Sequence, residues 1–291
     1  MTAVDAGSGS GAARPPDDQR AVGRSALAYG RAGAGEPLVL LHGHGASRRS
    51  WDPVLPGLVG ERDVVAVDLP GHGGSPLDRT RPGHTPGDLA ASVGELLDDL
   101  GLGTVHLGGN SLGGWVALEL AKRDRARTVT VFSPAGLWAR SAPAYIRASL
   151  RQSRVNARII HRLAPNAPRT RLVRSLFFAQ VSARPARVPH GPARRAVHDM
   201  ATTPGFRETL HGLERGHFQG GAKIHVPVTV IFGVSDRVLL PRSARRREQQ
   251  PAHTRWFDLT GSGHMPMLDD PRAVADLLLE GSGSTRFRLP G

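Results

Sequence analysis

The chain has 291 residues, of which 39% are hydrophobic and 22% charged, enough for one large domain, or a domain with a sizeable insertion, around a real core. It has no cysteine, which excludes disulfides, thiol catalysis and thiolate metal sites, and no apolar run approaches the roughly 18 residues of a membrane span. The net charge of +13 lies entirely between Arg140 and Lys223, where sixteen basic residues face three acidic ones, so the rest of the chain is neutral.

In chain order, residues 1–20 are polar and rich in Gly, Ala, Pro and Asp, with no apolar signal-peptide core, which predicts a disordered tail and a cytoplasmic protein. Arg24 to Ala32 reads as an early edge strand. Leu38 to Leu41 is a short, wholly apolar run, the pattern of a buried strand, and ends in His42-Gly43-His44-Gly45. Trp51 to Val59 reads as a short helix and Asp63 to Leu69 as a second buried strand, closing in the turn Asp68 to Ser75. Thr85-Pro86-Gly87-Asp88 is a helix start, with an N-cap, a proline in the first turn and an acid beside the exposed amides. Leu89, Val93, Leu96, Leu97 and Leu100 then repeat at helical spacing until Gly101.

Val105 to Leu107 runs into Gly109-Asn110-Ser111-Leu112-Gly113 and then into the helix-forming segment Trp115 to Ala121. Strand, sharp turn and helix with a serine at the bend form the nucleophile-elbow pattern, whose glycines are needed because side chains there would collide. Thr128 to Phe132 is a further strand. From Trp138 to Gly221 strand signals vanish, and short basic helices such as Tyr145 to Leu163 alternate with prolines, which predicts an inserted helical cap over residues 139–223. The sheet resumes with Val226 to Phe232, a helix over Ala244 to Gln250, a strand over Thr254 to Leu259 and a helix from Pro271 to Leu279, leaving residues 282–291 as a loose tail. This alternation predicts an α/β fold, a mostly parallel sheet with helices on both faces, built from residues 21–138 and 224–281.

Serine needs a base to take its proton, and the base needs a partner that fixes its tautomer and balances its charge. Asp236 follows the strand ending at Phe232 and His264 follows the strand ending at Leu259, so both belong at the carboxyl edge of the sheet. The order Ser111, Asp236, His264 is the one expected behind a nucleophile elbow. Asp258 and Asp269 are rival acids, but Asp258 alternates within a strand and Asp269-Asp270 reads as a helix cap. For a developing oxyanion, the backbone amides of Leu112 and His44 are the candidate donors. His42 and His44 form an H-x-H pair, yet no carboxylate or third histidine follows at ligand spacing, so neither metal nor cofactor is assigned.

Leu41 to Gly45, Asp68 to Ser75, Gly109 to Gly114, Gly233 to Asp236 and Gly261 to His264 together resemble the α/β-hydrolase superfamily, over roughly residues 25 to 281. The resemblance implies that the cap lies over the active site and that residues near Trp115 and Met265 shape the acyl or leaving-group pocket. It also sorts subfamilies. Epoxide hydrolases and haloalkane dehalogenases of this fold place aspartate where Ser111 stands, and the epoxide enzymes add cap tyrosines, whereas the only cap tyrosine here is Tyr145. Carbon-carbon bond hydrolases share an asparagine before the serine, as in Asn110, but usually carry tryptophan after the catalytic histidine, where this chain has Met265. The expected activity is therefore a serine hydrolase acting on a small or medium ester, lactone or thioester, with carbon-carbon bond hydrolysis as the alternative. A lyase or acyltransferase using the same three residues is a further alternative.

A competing reading is a non-hydrolytic protein that binds an acidic partner through the arginine-rich cap. Nucleic acid is disfavoured, because the cap lacks the interleaved aromatics that stack bases. The compromise is an enzyme whose arginines attract an anionic or carrier-bound acyl substrate. Only Lys122 and Lys223 are lysines, so the arginine usage equally fits a compositional bias. No membrane partner is expected.

Overall fold

Leu38 and Leu40 point to one face of a central strand and Val39 and Leu41 to the other, all four almost completely buried, which is why the run carries no polar alternation. The computed structural model describes residues 19–20, 25–78 and 83–283. Its strands are β1 (Gln19–Arg20), β2 (Ala28–Ala32), β3 (Glu36–Leu41), β4 (Arg62–Val67), β5 (Val105–Asn110), β6 (Ala126–Phe132), β7 (Val228–Gly233) and β8 (Arg255–Leu259). They form one eight-stranded sheet in the order β1-β2-β4-β3-β5-β6-β7-β8. β2 pairs antiparallel with both β1 and β4, and every other pairing is parallel. This is the mostly parallel α/β architecture with helices on both faces.

On one face, α1 (Pro86–Asp99) and α2 (Leu112–Ala121) cover Val39, Leu107, Val129 and Val230. α1 begins at the expected N-cap, Thr85, which forms a capping box with Asp88, each side chain accepting from the other's backbone amide. On the opposite face, α9 (Pro271–Gly281) and Trp51, Val54 and Leu58 cover Leu38, Leu40, Val64 and Ile231. Between β6 and β7 the chain forms α3 (Ala144–Leu163), α4 (Arg171–Phe177), α5 (His190–Thr202) and α6 (Phe206–Glu214); α7 (Pro241–Ala244) and α8 (Pro266–Asp269) are single turns later in the chain.

The four inserted helices are bound to the carboxyl edge of the sheet at several points. The Gly205 amide donates to the Gly71 carbonyl at 2.8 Å and the Met265 amide to the Val181 carbonyl at 2.8 Å. The Asp269 carboxylate accepts from the Ser182 hydroxyl and from the amides of Ala183, Arg184 and Gly263. Asp269 therefore joins the insertion to the loop that carries His264.

Four expectations need correction. Trp51 to Val59 is not one helix but two 3-10 turns, Arg48–Trp51 and Leu55–Gly57, since Pro53 and Pro56 withhold the amides an α-helix needs. Ala244 to Gln250 is likewise divided, into α7 and the 3-10 turn Arg247–Gln249. Gln19 and Arg20, read as the end of the tail, pair with Tyr29 and Ala28 as β1, while the tail before them lies outside the described residues. Ser282, read as the start of the loose end, is buried, and its hydroxyl and carbonyl accept from the Arg62 guanidinium at 3.1 and 2.9 Å; residues 284–291 lie outside the described residues.

Candidate active site

Ser111 sits between β5 and α2 with φ 53° and ψ −115°, a backbone conformation that L residues rarely adopt. Three backbone hydrogen bonds hold it there: its amide donates to the Phe132 carbonyl, and its own carbonyl accepts from Trp115 and Ala135. The neighbouring glycines are explained by space. A Cβ on Gly109 would lie 2.5 Å from the Gly113 carbonyl oxygen, and one on Gly113 would lie 2.2 Å from that of Leu41. The bend can be this tight against β3 only with hydrogen at both positions.

His264 follows β8 and Asp236 follows β7, and their side chains meet, Nδ1 of the histidine lying 3.0 Å from Oδ2 of the aspartate. Oδ1 of Asp236 accepts from the amides of Val238 and Leu239, both at 2.8 Å. Burial opposes ionisation of this carboxyl, but the His264 ring and the two amides outweigh it and hold its pKa below the usual carboxylate range. An ionised Asp236 accepts from Nδ1–H, which leaves Nε2 of His264 as the lone-pair nitrogen. Ser111 and His264 line one cavity of about 90 Å³, together with Gly43, His44, Trp138, Leu150 and Met265.

The rival acids are engaged elsewhere. Asp258 pairs with Arg245 in an exposed position, and Asp269 spends its oxygens on the insertion and the Gly263 amide. Leu112 is fully buried at the first residue of α2. His44 borders the cavity, and its side chain has a definite tautomer. The Thr209 hydroxyl donates to the Gly205 carbonyl at 2.7 Å, so at 3.2 Å from Nδ1 it accepts, and Nε2 of His44 carries the lone pair. Burial, with Arg154 and His42 adding to it, pushes the His44 pKa down to about 3, so the ring is neutral.

Of the two residues expected to shape the pocket, Met265 lines the cavity and Trp115 does not. It stands behind Trp138 in an edge-to-face contact with ring centroids 5.7 Å apart, its Nε1 donating to Glu119. Trp138, missed in the sequence, is the tryptophan that lines the cavity with Ser111; its place in the segment that follows β6, at the carboxyl edge of the sheet, was the signal that could have found it. Asn110 was noted only as a subfamily mark. Its Nδ2 donates to the carbonyls of Phe132 at 3.0 Å and His264 at 2.9 Å, tying the elbow to the histidine loop.

Asp68 organises the other side of the site. Its carboxylate accepts from the amides of Arg48 at 2.6 Å and Gly74 at 2.9 Å and from the Arg48 guanidinium, so the loops after β3 and β4 share one buried anion. His42 is locked beneath them, accepting at Nε2 from the Leu69 amide, and so belongs to the scaffold. Among the described residues there is no group of three or more His, Asp or Glu side chains able to hold a metal ion. A larger polar cleft of about 760 Å³ lies beside Arg48, Arg195 and Asp199, and Ser111 is not among its lining residues.

The parallel sheet, the serine elbow and the histidine and aspartate on the next two strand ends define the α/β-hydrolase fold. Residues 38–277 match the model of the alpha/beta hydrolase family, and the chain belongs to that family. It is 35% identical over 195 residues to the epoxide hydrolase EphH of Mycobacterium tuberculosis, covering 65% of this chain and 91% of that one. It is 30% identical over 246 residues to a pimeloyl-[acyl-carrier protein] methyl ester esterase of Neisseria meningitidis, covering 82% of this chain and 89% of that one. Among solved structures it is similar to a thermophilic esterase from Thermogutta terrifontis, with TM-score 0.68, 21% identity and coverage of 92% of this chain and 97% of that one. These relatives make the chain a hydrolase of this fold.

Proposed function

We propose that the chain is a serine hydrolase that cleaves a small or medium carboxylic ester, lactone or thioester through an acyl-enzyme on Ser111. The observation that carries this reading is the His264–Asp236 hydrogen bond beside a strained serine in one small cavity. Nε2 of His264 takes the Ser111 hydroxyl proton as Oγ attacks the acyl carbon. The tetrahedral oxyanion accepts from the amides of Leu112 and His44. As it collapses, His264 returns the proton to the leaving oxygen or sulfur. A water molecule then repeats the sequence on the acyl-enzyme and regenerates Ser111. Helices α3 to α6 act as the cap, with Ile146 and Leu150 of α3 giving the acyl part an apolar wall and Trp138 and Met265 completing it.

Epoxide opening is the second reading, favoured by the name of the mycobacterial relative. On this fold it would call for a carboxylate nucleophile, and the position is occupied by Ser111. It would also call for a phenol over the ring oxygen, whereas the Tyr145 hydroxyl lies 2.9 Å from Ser243 Oγ, and no tyrosine borders the cavity.

The test is intact mass after reaction with a fluorophosphonate, followed by turnover of p-nitrophenyl esters and of a terminal epoxide. One adduct on the native chain and none on Ser111→Ala is expected, with ester turnover at least about 10⁴-fold lower in the variant and no diol from the epoxide. Diol formation that survives Ser111→Ala would overturn the serine mechanism.

A further inference from the structure

Helices α3 and α4 leave an unusual face uncovered. Val155, Ile159 and Leu163 recur every fourth residue along α3 and are 50%, 52% and 80% exposed, and Leu172 and Leu176, one turn apart on α4, are 69% and 71% exposed. Phe177, at the end of α4, packs against the small cluster of Ala157 on α3 and Val197 and Ala201 on α5, and just beyond α4 Gln180 accepts from the Ser149 hydroxyl of α3 at 2.6 Å, so the two helices are joined at that end. Arg158, Arg162, Arg169 and Arg171 are exposed among these aliphatic residues and form no ion pair among the described residues. The sequence has no acidic residue between Asp124 and Asp199. Exposed aliphatic groups in such number mark an interaction surface, since the outer face of a solvated helix is ordinarily polar.

We propose that the outer face of α3 and α4 is a docking surface for an anionic lipid bilayer, in which the leucine, isoleucine and valine side chains enter the acyl boundary while the arginines bind lipid phosphates. The charge decides the occupant. A second copy of the chain, brought to this face by a twofold axis, would set arginine against arginine with no carboxylate between them. An acidic protein answers the charge but does not call for Leu163, Leu172 and Leu176 to project into solvent. An interfacial helix needs both halves of the pattern, apolar groups to insert and guanidinium groups at headgroup level. This departs from the expectation of no membrane partner; docking on the bilayer surface requires no membrane-spanning helix, and none is present among the described residues. The opposite face of α3 contributes Ile146, Ser149 and Leu150 to the Ser111 cavity, so docking would set that cavity one helix away from the lipid.

The experiment is co-sedimentation of the full chain with vesicles of phosphatidylcholine alone and of phosphatidylcholine with phosphatidylglycerol. Binding to the mixed vesicles but not to the neutral ones is expected. Arg158→Ser with Arg162→Ser should lower the partition coefficient about 30-fold. Leu172→Asp with Leu176→Asp should lower it at least as far, with the circular dichroism spectrum of both variants unchanged. Equal binding to neutral vesicles, or full binding by either double variant, would overturn the proposal. So would a dimer that Leu172→Asp dissociates, or retention on an immobilised acidic protein with no vesicle binding.

Discussion

Three aspartates stand near the end of the sheet that carries His264, and one substitution in each separates their roles. Asp236→Asn replaces the acceptor of the His264 Nδ1–H by a group that can present a donor, so the ring can flip its tautomer and leave no lone pair toward Ser111. In the serine-protease triad the corresponding change lowers kcat about 10⁴-fold, and a loss of that order in ester turnover with near-native KM is expected here. Asp258→Asn loses only an exposed ion pair with Arg245 and should leave kcat within about twofold. Asp269→Asn should mainly lower Tm, since its carboxylate accepts four hydrogen bonds joining the insertion to the Gly263 loop. The sequence favours Asp236 because it stands in the loop after a strand ending at Phe232, whereas the others sit in a strand or at a cap. It could not choose between the tryptophans. Trp115 is one turn beyond Ser111, yet α2 turns it toward Trp138 and Glu119, and only tertiary packing puts Trp138 in front.

At the scale of the element, the elbow works because β5, α2 and β3 approach more closely than side chains allow. Gly113→Ala would set a methyl group 2.2 Å from the Leu41 carbonyl, and backbone on both sides leaves no flexible atom to yield. A loss of about 3 kcal/mol in urea unfolding is expected, at the upper end for overpacking. Gly94→Ala on α1, where a Cβ meets nothing within 4 Å, is the control and should stabilise by up to about 1 kcal/mol. Asn110→Ala keeps the elbow but removes the two donations that join it to Phe132 and His264, and about 1–3 kcal/mol should be lost with a fall in kcat. Most strands, α1 and the elbow were legible in the sequence because each is set by local pattern: short apolar runs, an N-cap with leucines at helical spacing, glycines at the bend. The 3-10 turns after β3 and after α7 were not, because prolines and the approach of the next strand decide between two helical forms of similar period. Neither was the pairing of Gln19 and Arg20 with β2, since two polar residues carry no periodicity and their partners lie in another segment.

For the whole molecule, the histidines beneath the site set how the fold responds to acid. His42, His44 and His72 are buried in mutual contact, with ring centroids 5.2 Å apart for the first and third and 5.7 Å for the second and third. Burial is the leading cause that lowers all three pKa values, that of His44 to about 3, and that of His72 well below the ordinary value. In the unfolded chain each titrates near 6.5. Below that pH the unfolded state therefore binds protons that the folded state refuses, so stability falls as pH falls, and the loss for His44 continues down to about pH 3. Each group contributes up to about 1.4 kcal/mol per pH unit in that window, so three acting together give a slope of up to about 4. Asp236 adds a loss of the same sign at lower pH, because its depressed pKa stabilises the fold only while the carboxyl stays ionised. Denaturant unfolding from pH 7 to pH 5 should show this steep decline, and His44→Phe, which keeps a ring against Phe206 but has nothing to protonate, should reduce the slope by about one proton. A slope unchanged by that substitution would mean that His44 is protonated in the folded chain, contrary to a lone pair on Nε2 and a donor on Nδ1.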